Sequence, residues 1–157
     1  MRHTRKGFSL IELMVVCTIV GILTLMSMPR VKAMREAYGV RSAREELAAA
    51  VATARSAAVQ KGRMARLRAG DNVFSAVVRT SATDSLFVIP PVDVQAEFGV
   101  TLTLREPDDS VLTFEPRGFR TTPRAARTQR YVLQRGRSVD SLCVGMLGQI
   151  LPRGCRP

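Results

Sequence analysis

The chain has 157 residues, of which 46% are hydrophobic and 24% are charged, and its formal net charge at pH 7 is +11. This length suits one modest domain in addition to an apolar N-terminal segment. The only histidine is His3, and the sequence has no phosphate-binding loop, dinucleotide fingerprint or Cys/His metal spacing. We therefore expect no enzyme activity, no cofactor and no metal site.

The first feature along the chain is an apolar segment at residues 8–28, which follows the basic residues Arg2, Arg5 and Lys6. A helix of this length would reach about 30 Å, enough to cross a bilayer. Its one charged residue is Glu12, and a carboxylate at the centre of such a span costs about 2.5–3.5 kcal/mol. The basic residues before it predict a cytoplasmic N-terminus with the rest of the chain outside.

Three interpretations of this segment compete. A cleavable secretory signal would have a shorter apolar core and a small-residue exit, which the sequence Met28-Pro29-Arg30 does not provide. A plain single-pass anchor would leave Glu12 without a role, although ionisable residues inside membrane spans usually have one. The third interpretation, a prepilin-type signal, rests on the order of the residues.

Residues 5–13 read Arg-Lys-Gly-Phe-Ser-Leu-Ile-Glu-Leu, which resembles the type III signal of type IV pilins and their pseudopilin relatives. The resemblance implies that a prepilin peptidase cuts between Gly7 and Phe8 and that the new terminus at Phe8 is N-methylated. It also implies that Glu12 pairs with the terminal amine of a neighbouring subunit during assembly. Such pairing explains the carboxylate, because two charges that are costly in lipid offset each other.

The helix is predicted to continue outward over residues 31–62. Apolar or small residues recur there at helical spacing and should line one face, which packs on a sheet: Leu47, Val51, Ala54 and Ala58. Gly62 is a suitable stop for this helix.

Two local signals subdivide this helix. Gly39 is a candidate break between the membrane and soluble halves, and Ser42 with Glu45 has the spacing of a capping box. Arg41 and Glu45 can also pair across one helical turn.

Beyond Gly62 the pattern changes to short strand-like runs separated by Gly, Pro, Asn and Asp turns. The predicted strands are 64–68, 73–80, 86–89, 98–104, 111–114, 130–135, 139–144 and 149–151. Strands of this spacing after one long helix predict an α+β fold, in which an antiparallel β-sheet domain packs on the outer half of the helix.

Two stretches of this domain resemble the FimT/GspH group of minor pilins and pseudopilins. They are residues 54–62, the helix end before the first strand, and residues 112–118, a strand and turn. The resemblance implies a leader at 1–7, a transmembrane helix at 8–30, a periplasmic helix at 31–62 and a β-rich domain at 63–157. It implies a single-pass inner-membrane protein and a structural subunit of a type IV pilus or a type II secretion pseudopilus. The partners would be other pilins or pseudopilins, the prepilin peptidase and the inner-membrane assembly platform.

The chain has three cysteines. Cys17 lies inside the predicted span, where a small thiol serves as a packing residue. With the orientation given above, Cys143 and Cys155 meet an oxidising compartment and are expected to form one disulfide. A late cysteine pair also fits the FimT side of the group.

Positive charge is concentrated at the end of the chain, where residues 117–157 hold nine arginines against Asp140 alone. The candidate DNA-contacting residues are Arg117, Arg120, Arg124, Arg127, Arg130, Arg135, Arg137 and Arg153. Arginine forks suit phosphate, and Phe119 and Tyr131 among them could stack on bases. Some FimT proteins are DNA receptors, so the resemblance implies an alternative role in DNA uptake. The tail lacks the Gly-Arg-x-Arg motif of those receptors, and a solvated basic face without a ligand is the other interpretation.

Overall fold

The computed structural model describes residues 9–81, 84–105, 110–121, 128–145 and 147–151, without the side chains of residues 25–27 and 29. The elements, in chain order, are α1 Leu10–Lys61, β1 Ala65–Gly70, β2 Val73–Arg79, β3 Ser85–Asp93, α2 Val94–Phe98, β4 Thr101–Leu104, β5 Val111–Phe114, β6 Arg120–Thr121, β7 Gln129–Arg135 and β8 Ser138–Val144. The chain divides into two units, Met1–Arg35 and Glu36–Pro157. The second is called the αβ unit below.

The strands of the αβ unit form two antiparallel sheets. The first sheet has the order β3-β2-β1-β5-β6, and the second sheet has the order β4-β7-β8. Every strand pair in both is antiparallel. The predicted α+β fold, a long N-terminal helix followed by an antiparallel β domain, is therefore confirmed.

One face of α1 supplies the helical half of the core. The predicted face is confirmed, because Leu47, Ala54 and Ala58 are fully buried and Val51 is 1% exposed. Further alanines on α1 extend this face, and the same cluster contains side chains from both sheets. Small side chains let the helix backbone approach the strands closely, and burying this apolar surface is the main stabilising contribution.

The end of α1 is set by Gly62, as predicted. Gly62 has a φ of 61°, in the left-handed region. Its N–H donates to the Val59 carbonyl at 3.3 Å, and the N–H of Arg63 donates to the Ala58 carbonyl at 3.1 Å. This pair of bonds is a Schellman motif, which satisfies carbonyls that the helix end would otherwise leave unpaired.

Two of the predicted strands differ from the structure. The strand expected at 98–104 is shorter in the structure, because Phe98 is the last residue of the short helix α2. The Asp93 side chain caps this helix by accepting hydrogen bonds from the backbone of Gln95 and Ala96. Gly99 ends that helix in a left-handed conformation, and β4 begins at Thr101. The strand expected at 149–151 is reduced to a single bridge between Ile150 and Val144.

The two signals thought to subdivide the long helix are both wrong, because α1 is one helix from Leu10 to Lys61. Ser42 and Glu45 form no capping box, since no helix begins there. Glu45 accepts instead from Arg41 Nε at 3.0 Å, as the alternative pairing predicted. This hydrogen bond, together with the carboxylate charge, raises the pKa of Arg41.

Gly39 does not break the helix, but its lack of a side chain is needed for packing. A Cβ at this position would lie 2.6 Å from Arg135 Nη1 and 3.0 Å from the Phe98 carbonyl oxygen. Arg135 Nη1 donates to that same carbonyl at 2.6 Å. The missing side chain therefore makes room for an arginine that links β7 to the end of α2.

We expect Gly39→Ala to destabilise the protein by about 1–3 kcal/mol, because the added methyl overpacks this contact. Gly21→Ala is the matched control: it lies on the same helix, and nothing lies within 4 Å of its Cβ position. Chemical unfolding of the full chain in detergent, followed by circular dichroism, measures both. If Gly39→Ala stabilises the chain by as much as Gly21→Ala, Gly39 acts on helix propensity alone.

Candidate functional site

Between Leu10 and Met28, the described part of α1 exposes apolar side chains on all sides. Leu10 is 76% exposed, Met14 63%, Leu23 59% and Met28 65%. A soluble helix normally buries one apolar stripe and keeps a polar face in water. A surface that is apolar all round requires lipid or other helices to cover it.

Glu12 is the only carboxylate in this segment and lies in the first turn of α1. It is exposed and forms no ion pair with any residue that the structure describes. The hydroxyls of Thr18 and Thr24 donate to the carbonyls of Met14 and Val20, each at 2.7 Å. These hydroxyls are satisfied within the helix, whereas Glu12 requires a partner from outside it once water is excluded.

The predicted cleavage site falls outside the described residues, because Gly7 and Phe8 both precede Ser9, where the description begins. Within the described part of the chain, no helix reaches the combined length and hydropathy of a membrane span. The leader at 1–7 and the membrane helix at 8–30 stay predictions.

Two of the candidate DNA-contacting arginines are committed to contacts inside the αβ unit. Arg120 is only 7% exposed, and its Nη1 and Nη2 donate to the Val144 carbonyl and to Gln129 Oε1, each at 3.4 Å. Arg135 is half-buried and donates to the Phe98 carbonyl. Arg120 in particular is not available to a phosphate, which corrects its assignment as a contact residue.

The two exposed candidates lie far apart. Arg117 belongs to the β5–β6 turn, where the Gly118 carbonyl accepts from Arg55 Nε at 2.9 Å. Arg137 belongs to the β7–β8 turn, where its N–H donates to Glu36 Oε2 at 3.3 Å. At 1.5 Å per residue, the stretch of α1 between positions 36 and 55 separates these turns by about 30 Å. Although Arg117 and Arg137 are close in sequence, they therefore do not form one surface.

The remaining candidates add no shared surface among the described residues. Arg130 is half-buried on β7. Arg124, Arg127 and Arg153 lie outside the described residues.

Of the cysteines, Cys17 is an exposed free thiol, and Cys143 is buried and disulfide-bonded. Cys155, the partner expected from the sequence, lies outside the described residues. The Cys143–Cys155 pairing stays a prediction.

Sequence reasoning missed the polar contacts that hold α1 to the strand turns. Besides the contacts of Arg55 and Glu36, Arg44 Nε lies 3.4 Å from Asp140 Oδ2. Each of these joins residues more than sixty positions apart, so no local pattern could have signalled it.

Comparisons with known proteins agree with this arrangement. Residues 2–28 match the family described as the prokaryotic N-terminal methylation motif. The fold is similar to that of the type IV minor pilin FimU of Pseudomonas aeruginosa in two crystal forms, with TM-scores of 0.56 and 0.52 and sequence identities of 23% and 24%. Each alignment covers 74% of this chain, and it covers 95% and 99% of the FimU chains. No curated protein matches the sequence.

The chain carries the N-terminal methylation motif and has a fold like that of a minor pilin. The two findings are independent, since the motif covers the segment around Glu12 and the structural likeness covers most of the chain. At these identities the likeness to FimU concerns the fold.

We expect Arg120→Ala to destabilise the chain by about 1–3 kcal/mol, because it leaves buried acceptors unpaired. Arg117→Ala, three residues earlier and exposed, should change stability by no more than about 0.5 kcal/mol. Chemical unfolding of the full chain compares them. Equal, small effects would mean that Arg120 is free to serve a ligand.

Proposed function

We propose that this chain is a minor pilin or pseudopilin of the FimT/GspH type, a structural subunit of a type IV pilus or a type II secretion pseudopilus. The observation that carries the proposal is Glu12. It is a single carboxylate, without an ion-pair partner among the described residues. The other described side chains from Leu10 to Met28 are uncharged, and most of them are apolar and exposed.

In this proposal the prepilin peptidase cuts after Gly7, and Phe8 becomes the methylated N-terminus. The terminal amine keeps its positive charge. A carboxylate moved into lipid without a partner costs several kcal/mol, and an amine from the neighbouring subunit offsets this cost only when the two helices are in register. Glu12 thus selects one axial stagger from the many that an apolar surface alone would allow.

The apolar segment and the αβ unit have separate tasks. The segment inserts into the inner membrane through its exposed apolar side chains and later packs among the helices of other pilins. The αβ unit, which has its own core, faces the periplasm. The partners are then other pilins or pseudopilins, the prepilin peptidase and the assembly platform, and the function needs no cofactor.

We expect Glu12→Ala to leave cleavage after Gly7 intact and to abolish incorporation into fibres. The substitution removes the registering charge while making the segment more apolar, so membrane insertion is retained. N-terminal sequencing of the membrane fraction and immunoblotting of sheared fibres measure the two steps. Glu46→Ala, an exposed carboxylate further along the same helix, is the matched control.

Normal incorporation of Glu12→Ala would contradict the proposal. So would a mature wild-type chain that begins with any residue other than Phe8. The variant Gly7→Ala should accumulate as an uncut precursor, which separates a processing defect from an assembly defect.

The alternative function, a pilus-borne DNA receptor, has less support. It was based on arginines that cluster in sequence, and those fully exposed among the described residues, Arg117 and Arg137, lie about 30 Å apart along α1. Phosphate contacts add to a binding site when they follow one backbone, and these two do not share a surface.

We expect the double variant Arg117→Ala, Arg137→Ala to leave any low-salt gel shift of the purified chain with short DNA unchanged. An electrophoretic titration at several salt concentrations tests this. A lost shift, or a salt dependence reduced by about two phosphate contacts, would restore the DNA receptor as the leading function.

A further inference from the structure

We draw no further inference here: the strongest candidate, the surface patch of exposed cations and apolar side chains at the end of the first sheet where β1 and β3 begin, carries nothing because nothing in the structure shows what covers it.

Discussion

The alanine side chains on the inner face of α1 bring the helix backbone close to the strands, and the rest of the αβ unit depends on that approach. Ala43, Ala54 and Ala58 are fully buried. The core cluster that they join contains residues of both sheets, such as Phe114 and Tyr131. A helix with larger side chains on this face would stand further from the strands and would force the core to repack. The helix is thus the common support of two small sheets.

Polar contacts then fix how the two sheets meet at one end of the helix. Asn72, in the left-handed turn between β1 and β2, accepts from the Leu102 N–H at 2.8 Å and donates to Gln95 Oε1 at 2.9 Å. Arg135 occupies the space left by Gly39 and Gly99. These contacts join the first sheet to α2 and the second sheet to α1, which accounts for the β1–β2 turn and the short helix α2 lying side by side.

A charged side chain has different consequences in the apolar segment and on the αβ unit. In the proposed fibre, the unpaired carboxylate of the apolar segment is costly wherever water is excluded, so a single opposite charge has a large effect. On the αβ unit most charged side chains are solvated, so a single opposite charge there has a small effect.

The sequence by itself determined the features that depend on local order. The motif around Gly7, Phe8 and Glu12 is a matter of spacing, the buried face of α1 follows helical periodicity, and Gly62 ends the helix through its own conformational freedom. Only the tertiary structure decided which charges share a surface, because strand pairing brings Arg79 beside Met64 and Arg117 to the same end while it buries Arg120. Pairing across antiparallel strands and turn geometry set these neighbours, and neither is encoded in the distance along the chain. The same reason makes Gly39 a contact point for Arg135 rather than a helix break.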